Sequence, residues 1–167
     1  MICTLVNNLT ENVQQLKLNI QPNLKDEHVK TLVSRCKRIT ALDLSHCKIT
    51  DVSIDHIMNY LSPTLEKLNV NGCHKISDTK IMKLKSMPKL KVLLTQSYRK
   101  QSLQETENLR KLMPHLDINN HFLINEGIHL GIAHPGVERF KPKGGLWDII
   151  VNKGTKLFPK KCGMTVE

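Results

Sequence analysis

Aromatic residues are scarce in this chain. Three Phe, two Tyr and one Trp make up 4% of its 167 residues. That scarcity argues against a basic surface interleaved with stacking rings, the usual platform for single-stranded nucleic acid. The core must then be aliphatic, and a hydrophobic fraction of 40% supplies enough for one domain. No run approaches the roughly 18–20 apolar residues that cross a bilayer, so no membrane segment is expected. The start, Met1-Ile2-Cys3-Thr4-Leu5, lacks a basic region followed by a long apolar run, so no secretory signal is expected. Carboxylates are also few: 15 Asp and Glu against 25 Lys and Arg give a formal charge of +10. The cations are scattered, with mild clusters at Arg35-Lys37-Arg38, Lys80-Lys83-Lys85-Lys89-Lys91 and Lys153-Lys156-Lys160-Lys161. This excess suits an acidic or phosphorylated protein partner at least as well as nucleic acid.

The spacings that chemistry requires are missing too. His46-Cys47 and Cys73-His74 are adjacent pairs, whereas zinc ligands within a pair are usually separated by two to four residues. Lys143-Gly144-Gly145 lacks the Walker spacing of a phosphate loop. No paired carboxylates suggest acid–base work. Cys162 stands beside Lys160 and Lys161 and reads as an exposed tail thiol. The expectation is a protein that is not an enzyme and has no metal and no cofactor. The five cysteines, Cys3, Cys36, Cys47, Cys73 and Cys162, are odd in number and unevenly placed. Without a secretory signal they read as reduced thiols in the nucleus or cytoplasm.

What the chain has is a repeat. Val13-x-x-Leu16-x-Leu18, Ile39-x-x-Leu42-x-Leu44, Leu65-x-x-Leu68-x-Val70 and Leu90-x-x-Leu93 begin 26, 26 and 25 residues apart. The leucine-rich repeat has a period in this range. Each unit is a strand and a helical return, and it buries its apolar face only against its neighbours. The expected fold is therefore α/β: a leucine-rich-repeat solenoid, a right-handed βα horseshoe, with an extended C-terminal tail.

Within a unit such as Ala41-Leu42-Asp43-Leu44-Ser45, Leu42 and Leu44 point into the stack, and Ala41, Asp43 and Ser45 point to the concave face. Cys47 and Cys73 each follow their repeat start by eight residues and are expected to point inward at the turn. Gln21 takes that place in the first repeat. Leu24 to Cys36, Ile49 to Leu61, Ile76 to Met87 and Thr106 to Met113 read as helices. Thr50 or Asp51, and Ser77 or Asp78, are candidate N-caps, and Pro22, Pro63 and Pro88 fall in linking turns. Leu93 to Gln96 and Pro114 to Asn119 read as short strands.

Residues 1–119 are thus assigned to the repeats and 120–167 to the tail. Gly and Pro between 120 and 145 suggest an extended loop. Leu146 to Val151 and Leu157-Phe158 look extended, and the apolar residues of the tail favour packing back onto the repeats.

Residues 30–122 resemble the C-terminal repeats of F-box proteins, the substrate receptors of cullin–RING ubiquitin ligases. The likeness rests on Leu32-Val33-Ser34-Arg35-Cys36, Leu42-Asp43-Leu44-Ser45, Leu65-x-x-Leu68 with Cys73, and Pro88-x-Leu90-Lys91-x-Leu93. Its narrower part is Met113-Pro114-His115-Leu116-Asp117-Ile118-Asn119, then His121-Phe122, with Trp147-x-Ile149 in the tail. The resemblance implies a tail running back across the concave face, and a face that holds a phosphorylated protein substrate together with a small Cks-type accessory protein. By position, Phe122 would be an aromatic contact to that protein. The family carries a basic and an aromatic residue around the late turn cysteine, where this chain has Gly72 and His74. The family's F-box, which docks the ligase adaptor, is too large for residues 1–12, so the chain reads as a fragment or as a binding wall without the ligase handle. Residues 1–12 are expected to cover the end of the stack only poorly.

The implied function is substrate recognition in ubiquitin-dependent degradation and cell-cycle control. The alternatives are a generic repeat scaffold or a basic nucleic-acid binder. Candidate concave-face residues are Gln15, Lys17, Asn19, Ala41, Asp43, Ser45, Lys67, Asn69, Asn71, Leu94 and Gln96. The partner-binding set is Phe122, His74, Lys67, Asn69, Asn71, Gln96 and Trp147. Large aromatics carry interface energy, although each of Phe122 and Trp147 also suits pinning the tail to the wall, and for Trp147 that is the favoured expectation.

Overall fold

The computed structural model describes residues 2–95, 103–119, 137–142, 149–152 and 164–166. Five short strands, β1 (Gln15–Lys17), β2 (Ala41–Asp43), β3 (Lys67–Asn69), β4 (Val92–Leu94) and β5 (Asp117–Ile118), pair in parallel in chain order. The register stacks one residue per strand: Leu16 on Leu42, Leu42 on Leu68, Leu68 on Leu93 and Leu93 on Ile118. All five are buried. This apolar column is what the repeat spacing encodes, and each fully buried leucine is worth about 1.5–3 kcal/mol.

Helices connect the strands. They are α2 (Asp26–Arg35), α3 (Asp51–Leu61), α4 (Asp78–Lys83) and α5 (Leu103–Leu112). Val29, Leu32 and Val33 of α2, and Ile54, Ile57 and Leu61 of α3, form their buried stripes. The N-caps resolve to Thr50, whose hydroxyl accepts the Val52 amide, and Ser77, whose hydroxyl accepts the Lys80 amide. Helix α4 tightens into a 3-10 turn at Leu84–Ser86 and stops at Met87, which is extended. Pro88 follows, and proline disfavours helical geometry in the residue before it.

Residues 2–8 correct the expectation of a poor cover. Ile2–Asn8 form a helix, α1, that packs on α2, and Val6 and Leu9 are buried in the common core. Val6 lies within the helix and Leu9 directly follows it.

The C-terminal segment contributes β6 (Val137–Pro142), β7 (Ile149–Asn152) and β8 (Met164–Val166). Strand β7 pairs antiparallel with β1, setting Leu16 opposite Val151, and β6 pairs antiparallel with both β7 and β8. The loop expected over 120–145 is therefore a strand from Val137 to Pro142, because sheet pairing with distant partners overrides local preference. These strands lie beside β1 in the plane of the sheet. The family resemblance implies a segment crossing the concave face, and none of the described tail strands does so. Leu157 and Phe158 lie outside the described residues. No described helix is long and apolar enough to cross a membrane.

Candidate protein-interaction face

The face is held in shape by three ladders that repeat with the stack. The first is made of thiols. Cys47 donates to the Leu18 carbonyl and Cys73 to the Leu44 carbonyl, both at 3.1 Å, so each turn is tied to the strand of the repeat before it. Cys36 donates to the Thr10 carbonyl at 3.2 Å. Burial pushes these thiols up, Cys47 to about 12 and Cys36 and Cys73 to about 11. They are protonated donors at neutral pH and poor nucleophiles. Gln21, in the equivalent place of the first repeat, is buried with its Nε2 unpartnered.

The second ladder is made of carboxylates. Asp26 accepts from the Thr50 amide (2.9 Å), the Thr50 hydroxyl (2.8 Å) and the Ser53 hydroxyl (2.5 Å). Asp51 accepts from the Ser77 amide and hydroxyl, both at 2.7 Å. Each aspartate at the head of one helix thus fastens the N-cap of the next. Burial raises both carboxyl groups, but the hydrogen bonds outweigh it and hold each below its ordinary value. The recurrence of Thr50-Asp51 and Ser77-Asp78 at helix starts signalled capping, but not the bond to the neighbouring repeat.

The third ladder is conformational. Ile20 (φ 55), His46 (φ 58) and Gly72 (φ 70) lie 26 residues apart and are all left-handed. A Cβ on Gly72 would run into the imidazole of His46.

Residues 35–57 and 61–84 match the family model for a Leucine Rich repeat. Both segments are thus similar to leucine-rich repeats. No curated protein matches the chain significantly. The matched repeats contain β2 and β3 with their turns and the start of each helical return, so they include most of the candidate face. Repeats of this kind typically serve as protein-interaction elements.

On the third of the four repeats, Lys67 is exposed, Asn69 and Asn71 are half-buried, and His74 is exposed. The register sets Lys67 between Ala41 and Val92, and Asn69 between Asp43 and Leu94. Short or apolar neighbours leave the lysine standing clear of the sheet. Asn69 Oδ1 accepts the Asn71 amide at 3.0 Å, the same bend that Asp43 makes with the Ser45 amide at 2.9 Å. The Asn71 carbonyl accepts the His46 amide at 2.7 Å. Four of the seven candidate partner-binding residues therefore lie within eight positions of one repeat. Gln96, Phe122 and Trp147 lie outside the described residues.

Part of the expected concave face is closed. Ala41, Asp43, Ser45 and Leu94 are buried rather than available. Ala41 and Ser45 are short, and the register puts Ala41 between the longer Gln15 and Lys67. Asp43 turns back on the Ser45 amide with Lys17 and Asn69 on either side in the register. Leu94 and Val92 are apolar and withdrawn from water. Gln15, Lys17 and Asn19 remain half-buried. Among the described residues no cluster of three or more His, Cys, Asp or Glu could hold a metal ion. At the far end, the Arg110 guanidinium clasps the Ile118 carbonyl through Nε (3.1 Å) and Nη2 (3.0 Å), a tie the sequence did not reveal.

Proposed function

We propose that this chain is the substrate-recognition part of an F-box-type ubiquitin-ligase receptor, a module that holds a protein while other subunits transfer ubiquitin. The observation that carries the protein-holding reading is the polar row at Lys67, Asn69, Asn71 and His74. Lys67 and His74 are exposed in it and Asn69 and Asn71 half-buried, on a stack whose turns and helix starts are tied from repeat to repeat. A preorganised row of this kind binds at a smaller ordering cost. The charge of +10 favours an acidic or phosphorylated segment, which Lys67 would meet by a charge-assisted hydrogen bond.

The link to ubiquitin ligases is supported by the resemblance of residues 30–122 and of Trp147-x-Ile149 to that family. On that reading Phe122 contacts a Cks-type accessory protein, Gln96 and Trp147 extend the face, and the work is done in the nucleus or cytoplasm. A scaffold unconnected with ubiquitin is the second reading, favoured by the family match covering the repeats alone.

The test is capture by the immobilised chain of a purified Cks-type protein and of acidic peptides with and without phosphate. Lys67→Glu is expected to weaken phosphopeptide binding about tenfold, the scale of a lost charge-assisted contact. Capture of peptide without the Cks-type protein favours the scaffold. Capture of neither sinks the receptor reading.

A further inference from the structure

We propose that Cys3 and His28 form a site that takes up a small disulfide covalently by thiol–disulfide exchange. Cys3 Sγ lies 3.1 Å from His28 Nε2, where α1 meets α2. The other ring nitrogen is occupied, because Nδ1 accepts the Lys25 backbone N–H at 3.0 Å. A nitrogen that accepts carries no proton, so the neutral ring bears its hydrogen on Nε2, facing the sulfur. His28 is therefore a donor to Cys3 and not its base. The side chain of His28 is only 12% exposed. With its Nδ1 tied to the start of α2, the N–H direction is set before any reagent arrives. Glu27 Oε1 is 4.0 Å from the same nitrogen, beyond hydrogen-bond reach, which leaves the N–H to the sulfur. Glu27 also faces the Lys25 ammonium at 4.0 Å.

Access separates this thiol from the other described ones. Cys3 is exposed, whereas Cys36, Cys47 and Cys73 are buried. Those three spend their S–H groups on the carbonyls of Thr10, Leu18 and Leu44, and burial both keeps a reagent from the sulfur and disfavours the thiolate. In the exchange, Cys3 releases its proton to solvent and the thiolate accepts the Nε2–H bond. The sulfur then attacks one sulfur of R–S–S–R. A Cys3–S–S–R bond forms, the old S–S bond breaks, and the departing thiolate takes a proton from solvent. The small disulfide is the oxidant, and one thiol is consumed for each one released.

The experiment uses the full chain with Cys162→Ser, glutathione disulfide as the probe, and peptide mass mapping of each thiol over time. Cys3 is expected to react at least about tenfold faster than Cys36, Cys47 and Cys73. It is also expected to react faster in the native chain than in urea, even though unfolding exposes every thiol. His28→Ala is expected to slow Cys3 several-fold while the three buried thiols stay protected. Equal rates for native and urea-treated Cys3 would overturn the proposal, as would an unchanged rate in a His28→Ala variant that keeps its buried thiols protected. If that variant exposes the buried thiols, the native-against-urea comparison in the parent chain decides.

Discussion

The turn of the third repeat and the turn of the first occupy the same place in the stack but use different residues. The third has Gly72 in the left-handed position and Cys73 donating back to Leu44. The first has Ile20 in the same conformation, a β-branched residue for which it is costly, and Gln21 with a buried unpartnered amide nitrogen. Yet the backbone follows the same course, since Ile20, His46 and Gly72 are all left-handed, and the Ile20 amide reaches the Ser45 carbonyl as the His46 amide of the intervening turn reaches the Asn71 carbonyl. The ladder between repeats dictates the turn, and the local sequence either suits it or bears the strain.

The bluntest way to break this ordering of influences is to hollow the column. Leu68→Ala, between Leu42 and Leu93, should cost about 2–5 kcal/mol in urea unfolding. A loss below about 1 kcal/mol would mean that the stack is not the main source of stability.

Next comes the carboxylate ladder. Asp26→Ala leaves the Thr50 amide and two hydroxyls without an acceptor and should cost about 1–3 kcal/mol. The pH dependence follows from the lowered carboxyl groups of Asp26 and Asp51. A group held below its ordinary value stabilises the fold above the unfolded value of 3.8 and loses that contribution as pH falls through the folded value. Thermal unfolding between pH 6 and pH 2 should therefore show an acid limb, and Asp26→Ala should flatten it.

Two substitutions at the left-handed position sharpen the comparison directly, with opposite signs. Gly72→Ala adds a Cβ in an unfavourable conformation and against His46, and should destabilise by about 1–2 kcal/mol. Ile20→Asn places a residue that tolerates this conformation at a half-exposed site and should stabilise by a few tenths to about 1 kcal/mol. If both changes destabilise equally, the first and third turns are not strained differently and the contrast between them dissolves.

Much of this architecture was legible in the chain. The recurrences at Leu16, Leu42, Leu68 and Leu93 located the strands, and Thr50 and Ser77 marked helix starts, because each signal is local and periodic. The inward role of Cys47 and Cys73 was legible for the same reason. The closure of the inner face at Ala41, Asp43 and Ser45 was not, because it depends on the size of whatever stands beside them on other strands. Nor was the pairing of Ile149–Asn152 with β1, since a strand edge accepts any extended segment of suitable register.

By itself, the sequence determined the period, and with it which side of each strand must avoid water, since a unit of this size buries its leucines only against its neighbours. Which polar residues remain open to a partner, which turn is strained and where the last strands attach were decided only in the tertiary structure. Those outcomes rest on contacts between residues far apart in the chain, for which no local pattern codes.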